Sequence, residues 1–291
     1  MSEMTARMLQ PLVRRVAQNE WLQSRFWSCV VKARQHYARC RPALEIETTI
    51  EGDIRVRALL SDHIEAQLYW QGYQEADLGV LRLIRRHLPR DGVFVDIGAN
   101  IGSFTLVAAR LAGRGRVHAF EPSAHHFSRL SRNVGLNRFD NVVLNRAGLS
   151  DCEGEADLFL PCSSGVMNNS GAASLFSPQG NLNVERVDLL RFDDYVLKSG
   201  IDRIDLVKID IEGAEHAALK GASEALARFR PIVLMELDLD NLRRAGCEPS
   251  RILEFWARLG YRVGRIEASG ETVPVGSEAD LRPHQNLMCR P

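Results

Sequence analysis

The chain has little lysine, no paired-cysteine motif and no long apolar run, and each scarcity narrows what it can be. Of its 37 Lys+Arg residues only Lys32, Lys198, Lys208 and Lys220 are lysines, a compositional bias with no functional weight. Cys29, Cys40, Cys152, Cys162, Cys247 and Cys289 form no Cys-x-x-Cys pair and no zinc-ligand spacing with histidine. Such scattered thiols fit a reducing compartment. No run of ~18 apolar residues exists to make a membrane span. Arg7, Pro11, Arg14, Arg15, Glu20 and Arg25 break up the first thirty residues, so no signal peptide is read there and a cytoplasmic location is expected. There is also no excess of either charge: 37 cationic side chains face 37 acidic ones. That balance argues against a nucleic-acid partner, whose affinity rests on neutralising phosphates. An Asn/Asp-Pro-Pro-Tyr/Phe motif for flipped bases is missing too. What is present is an ordinary globular composition, 45% hydrophobic and 25% charged over 291 residues, enough to bury a large core.

The chain reads as three stretches. Residues 1–41 carry eight Lys/Arg against Glu3 and Glu20, a local balance of +6 (8 minus 2). Leu12, Val13, Val16, Trp21, Leu22, Phe26, Val30 and Val31 recur there at helical spacing. The favoured reading is a helical extension that packs on the core and shows its arginines to water. The other is a surface for a partner, a second subunit or an anionic membrane. Residues 42–91 read as a lead-in. Alternation of Ile46, Thr48 and Ile50 with Ile54, Val56 and Ala58 predicts a β-hairpin turning at Glu51-Gly52-Asp53. A helix capped by Ser61 or Asp62 and stopped at Gly72 follows, then a helix over Glu75 to Leu88. Residues 92–291 alternate strands and helices, the pattern of a doubly wound, mostly parallel α/β sheet with helices on both faces.

The most informative segment joins the first of these strands to its helix: Asp96-Ile97-Gly98-Ala99-Asn100-Ile101-Gly102. Glycine, and asparagine after it, tolerates the left-handed backbone of a tight turn. Glu121 ends the next strand, 19 residues past Gly102, where an acid can accept a ribose hydroxyl. Loop and acid together predict an adenosine cofactor. A Gly-x-Gly-x-x-Gly pyrophosphate loop is not what stands here, and Asp96 would repel a diphosphate. The same carboxylate suits the ammonium and sulfonium end of S-adenosylmethionine.

These stretches resemble the FkbM family of class I S-adenosylmethionine-dependent methyltransferases. The resemblance rests on Phe94-Val95-Asp96-Ile97-Gly98-Ala99-Asn100-Ile101-Gly102, Ala119-Phe120-Glu121-Pro122 and Asp205-Leu206-Val207-Lys208-Ile209-Asp210-Ile211-Glu212-Gly213-Ala214-Glu215. Leu219-Lys220-Gly221-Ala222, Ile232 to Leu237 and Gly72-Tyr73-Gln74-Glu75 extend it over roughly residues 53–291. It implies a Rossmann-like seven-stranded sheet with an antiparallel last strand. It also implies methyl transfer, usually to an oxygen of a small molecule such as a sugar, polyketide or other natural-product intermediate. By position, Asp96, Gly98, Asn100 and Gly102 would line the methionine end, Glu121 would take the ribose hydroxyls, and Asp210 would lie beside the methyl. No role for His216 follows from the resemblance.

A hydroxyl acceptor must lose its proton as the new bond forms. Asp210, at a strand end facing the crevice, is the first candidate base. Lys208, two residues earlier on the same face, is expected to orient an acid or substrate or to stabilise the forming oxyanion, or else to form a structural ion pair. His216 is a further base candidate, with a packing histidine as its plainer reading. Glu212 and Glu236 are candidate acceptor contacts. Asn169 and Ser170, in a lid or substrate loop over Val166 to Ser174, are further ones. Tyr73 and Glu75 are expected to touch cofactor or acceptor. Asp210, Glu236 and Asp238 could together gather a divalent metal, but none is assigned. The rivals are an NAD(P)-binding oxidoreductase and a non-catalytic binding or partner subunit of the same fold.

Overall fold

The computed structural model describes residues 3–40, 43–161, 171, 173–176 and 182–291. The chain divides into two compact units: Met1–Asp77 with Pro161–Gly171, and Leu78–Leu160 with Ala172–Pro291. The division after Asp77 falls within the stretch 42–91 read as a lead-in.

In the first unit, α1 (Glu3–Ala17) and α2 (Glu20–Cys40) precede a hairpin of β1 (Glu45–Ile50) and β2 (Ile54–Leu59), followed by α3 (His63–Gln71). The hairpin turns where expected, Glu51 and Gly52 both taking positive φ (49° and 89°). Asp62 caps α3 by accepting from the Glu65 amide at 3.1 Å, and Gly72, at φ 88°, ends it. Tyr37, Ile46, Ala58, Leu60, Tyr69 and Trp70 form the core, with Ala6 from α1 fully buried against them. The N-terminal helices thus pack against the hairpin and α3 within this unit. Two details depart from the sequence reading. The Arg14 guanidinium turns inward, donating to the carbonyls of Thr49 (2.8 Å) and Tyr69 (3.1 Å) and to Thr48 Oγ1 (3.0 Å). Leu12, Trp21 and Phe26, read as part of the apolar face, point to solvent.

The second unit is built, in chain order, from α4 (Leu78–His87), β3 (Val93–Ile97), α5 (Ser103–Leu111), β4 (Arg116–Phe120), α6 (Ala124–Asn137), β5 (Val142–Asn145), β6 (Gly148–Leu149), β7 (Gly154–Pro161), β8 (Leu182–Leu190) and α7 (Phe192–Ser199). It continues with β9 (Leu206–Ile209), α8 (Glu215–Gly221), α9 (Ser223–Phe229), β10 (Ile232–Asp238), α10 (Leu239–Arg244), α11 (Pro249–Arg258), β11 (Arg262–Ile266), β12 (Thr272–Val275) and β13 (His284–Arg290).

The main sheet runs β12-β11-β13-β10-β9-β3-β4-β5. Strands β5, β4, β3, β9 and β10 are mutually parallel, and β13 runs antiparallel between β10 and β11. The doubly wound, mostly parallel architecture with its reversed last strand is therefore present. It has eight strands where the resemblance implies seven, because β12 folds back on β11 at the edge. The segment around 150–190 contributes β6, β7 and β8 as a separate sheet of order β6-β8-β7.

Central strands buried on both faces carry the apolar runs a parallel sheet needs. Val95, Ile97, Val207, Ile209, Val233, Met235 and Leu237 join one core with Trp256 and Phe255 of α11. The helical run after Ala214 is broken at Ala222, between α8 and α9. There Gly221 presses so close to the Ser150 carbonyl that a Cβ would lie 1.9 Å from its oxygen. The Asp193 carboxylate then accepts from the amides of Glu224 and Ala225, starting α9 afresh. Strand order reverses between β3 and β9, whose chains lead to opposite edges of the sheet. A crevice outside the carboxyl ends of such strands is where α/β sheets take ligands.

Candidate active site

Three positive φ angles shape the bend after β3: Gly98 at 84°, Asn100 at 49° and Gly102 at 100°. At Gly98 the requirement is steric as well, since a Cβ there would lie 1.8 Å from the Asp210 carbonyl oxygen. The loops leaving β3 and β9 thus touch at the switch point. Glu121, at the end of β4, braces the bend: Oε2 accepts from the Asn100 amide and Oε1 from the Ser123 amide, both at 2.9 Å. Each oxygen retains a second lone pair for a further donor.

Asp96 is buried at the end of β3. Its Oδ2 accepts from Thr105 Oγ1 at 2.5 Å, while Oδ1 has no hydrogen-bond partner among the described residues. Burial pushes its pKa up to about 6, against the pull of Thr105 and Lys208. A buried carboxylate with one oxygen unspent is costly to the free protein.

Lys208 lies opposite Asp96 in the β3–β9 register and is fully buried. Its Nζ donates to the Ile209 carbonyl at 3.2 Å, stands 3.3 Å from Asp210 Oδ2 and 4.0 Å from Glu236 Oε2, and sits 5.2 Å from the Phe104 ring centroid. Asp210 and Glu236 share a hydrogen bond, and Glu236 Oε1 meets His284 Nε2 at 2.5 Å. The chain Lys208–Asp210–Glu236–His284 crosses three neighbouring strands at one edge of the sheet. Burial, and then the Glu236 charge, raise the Asp210 pKa well above the carboxylate range. Burial acts on Glu236 in the same direction, but the His284 bond, Lys208 and Asp210 outweigh it and hold Glu236 low. His284 is raised in turn, chiefly by that bond. Of the two acids, Asp210 is thus the one whose surroundings favour the protonated form, and Glu236 the one whose surroundings favour the ionised form.

The remaining candidates fall in several places. Glu212, at φ 51°, accepts from the Asn241 side-chain amide, and its carbonyl accepts from Ser174 Oγ at 2.7 Å. Burial and the Glu236 charge lift its pKa to about 7. Asp238 caps α10, accepting from the amides of Asp240 and Asn241. His216 is not brought to the Lys208–Asp210 chain. Burial lowers its pKa, and the charges that act on it are Lys220, Arg251, Asp151 and Arg258. Tyr73 and Glu75 belong to the first unit, where the Tyr73 hydroxyl donates to the Ala17 carbonyl at 3.2 Å and the Glu75 amide lies 3.5 Å from Gln67 Oε1. Asn169 and Ser170 lie outside the described residues. Among the described residues no three His, Cys, Asp or Glu side chains form a group able to hold a metal, and no helix is long and apolar enough to cross a membrane.

Three residues escape sequence reasoning. His284 is the first residue of β13, two before Asn286 and so on the same face of the strand. Asn286 itself lies opposite Glu236, with a buried Oδ1 that has no partner among the described residues. Thr105 carries no local signal, because its bond to Asp96 exists only once α5 folds back over β3.

The model of the methyltransferase FkbM domain matches residues 96–263 of the chain. The antimetabolite synthetase AmbE of Pseudomonas aeruginosa is 36% identical over 60% of this chain and 10% of its own length. Methyltransferase sdnD of Sordaria araneosa is 32% identical over 47% of this chain and 63% of its own. The 31-O-demethyl-FK506 methyltransferase FkbM of Streptomyces tacrolimicus is 31% identical over 53% of this chain and 68% of its own. The chain thus spans less than two thirds of the first two relatives. A domain match covering more than half the sequence, on the strands and loops just described, places this protein in the FkbM methyltransferase family.

Proposed function

We propose that the second unit binds S-adenosylmethionine in the crevice between β3 and β9 and directs its methyl group to a hydroxyl oxygen of a small molecule. The observation that carries this reading is the chain of contacts Lys208–Asp210–Glu236–His284 at the carboxyl edge of the sheet. Family membership argues against the nicotinamide alternative, and so does the electrostatics. A diphosphate would face the buried Asp96 carboxylate, whereas a cationic amino-acid end would complete its unspent oxygen. Asp96 with Gly98, Asn100 and Gly102 would hold that end, and Glu121 the ribose hydroxyls through its remaining lone pairs.

When bound, S-adenosylmethionine supplies an electrophilic methyl group and a positive charge. In the free protein burial and the Glu236 charge favour the protonated form of Asp210. A cation in the crevice favours its ionised form. The Asp210 carboxylate then accepts the proton of the acceptor hydroxyl, and it keeps that proton once the positive charge is gone. Lys208 fixes the carboxylate from below, and His284 keeps Glu236 ionised so that the incoming proton goes to Asp210. Glu236, Asn286 and Glu212 line the acceptor side. The acceptor class, a sugar, polyketide or related natural product, accords with relatives whose names place the methyl on an oxygen.

The test is calorimetry with purified protein. Heat is expected with S-adenosylmethionine and S-adenosylhomocysteine and none with nicotinamide dinucleotides, and Asp96→Ala is expected to abolish both. Binding of nicotinamide nucleotides alone would refute the proposal.

A further inference from the structure

The exposed faces of the two N-terminal helices carry apolar and basic side chains together. On α1, Met4, Met8 and Leu12 are 69%, 71% and 63% exposed. Their four-residue spacing sets them on one stripe, with exposed Arg15 on the same side and Arg7 beside it, ion-paired with Glu3 at 2.8 Å. The opposite face of α1 is already spent, through Ala6 in the core and through Gln10 and Arg14 on the backbone of Tyr69. On α2, Arg25, Lys32 and Arg39 are exposed and recur every seven residues, two turns apart, on the side that carries Trp21. Trp21 is 65% exposed, with the Arg25 guanidinium 5.9 Å from its ring. After Glu20, α2 contains no acidic residue.

We infer that this helical pair docks on an anionic lipid surface. The combination is what such a surface recognises. Methionine, leucine and tryptophan enter the boundary between headgroups and acyl chains, and arginine and lysine beside them meet anionic headgroups. A second copy of the chain would bring the same basic stripe against itself, a like-charge contact that costs affinity. A nucleic acid would satisfy the cations and leave Met4, Met8 and Leu12 in water. The docking depends on the first unit alone and stands whether or not the catalytic reading holds. Its consequence for the enzyme is location: acceptors carried on or near a membrane would be met at high local concentration.

The experiment is co-sedimentation of the full chain with phosphatidylcholine vesicles, with and without about a quarter phosphatidylserine, at low and moderate salt. Binding is expected only with the anionic lipid, falling as salt rises, together with a blue shift in emission that Trp21→Phe removes. Met8→Glu with Leu12→Glu, and separately Arg25→Glu with Lys32→Glu, are each expected to weaken binding by about tenfold or more. All four positions are exposed, so unchanged far-ultraviolet circular dichroism is expected to show that these variants remain folded. A chain that stays in the supernatant at low salt would overturn the inference, as would equal binding to neutral vesicles or retention by both double variants. Self-association abolished by the same substitutions would assign the face to a second copy. RNA binding that survives Met8→Glu with Leu12→Glu would assign it to nucleic acid. Either result would overturn the lipid assignment.

Discussion

His284 and Glu236, 48 residues apart in sequence, meet at 2.5 Å between Nε2 and Oε1 at the edge of the sheet. Because β13 is antiparallel, its first residue arrives where β10 ends, and a histidine is set against the acid that neighbours Asp210. This contact favours the ionised form of Glu236. With His284→Gln, Glu236 loses its cationic partner and the pair retains its proton to higher pH. The acidic limb of the pH–rate profile is therefore expected to move to higher pH, with little change in S-adenosylhomocysteine affinity. An unmoved profile would remove His284 from the site. The side chain is half exposed, so folding is expected to survive the change.

Asp96 gives a stability prediction with a definite sign. Its folded pKa, about 6, lies above the ordinary value of 3.8. A carboxyl raised in this way destabilises the fold once pH exceeds the unfolded value, and the penalty is complete above the folded one. For Asp96 the difference corresponds to about 3 kcal/mol. Asp96→Asn is expected to melt at a higher temperature than the parent at pH 8, to match it near pH 4, and to lose S-adenosylmethionine binding. Equal melting curves at pH 8 would contradict the assigned cost.

Gly98→Ala places a methyl group 1.8 Å from the Asp210 carbonyl oxygen on a backbone at φ 84°. The contact is with main chain, which cannot swing aside. Thermal or urea unfolding is expected to show a loss of about 2 kcal/mol or more. S-Adenosylhomocysteine binding is expected to vanish, because the bend and the Asp210 loop move apart together.

Arg14 and Arg15 are neighbours with opposite fates. Arg14→Leu removes the donor to the Thr49 and Tyr69 carbonyls and is expected to cost about 1–3 kcal/mol in urea unfolding. Arg15 is exposed, and Arg15→Leu is expected to change stability by less than about 0.5 kcal/mol. Equal losses would show that the inward position of Arg14 is not structural.

What the sequence made legible was whatever short-range chemistry determines. The turn at Glu51-Gly52, the caps at Asp62 and Gly72, the strands Val93–Ile97 and Arg116–Phe120, and the strand-end acids Asp96, Glu121 and Asp210 all carry local signals. Other features arise only from tertiary contact. The break at Ala222 needs Asp193 from α7 and the carbonyl of Ser150. The role of Asp238 as a helix cap needs α10, whose six residues are too short for periodicity to show. The Thr105–Asp96 bond and the His284–Glu236 contact join elements that the chain alone does not bring together. Composition likewise gave no way to separate the inward Arg14 from the outward Arg15.

The central claim is that a cation in the crevice shifts the Asp210–Glu236 pair toward its ionised form. Calorimetric titration near pH 7, repeated in buffers of different ionisation enthalpy, counts the protons released on binding. The account predicts that S-adenosylmethionine releases more protons than the uncharged-sulfur product S-adenosylhomocysteine, and that Asp210→Asn erases this difference while still binding both. Equal proton counts for the two ligands in the unaltered protein would contradict it.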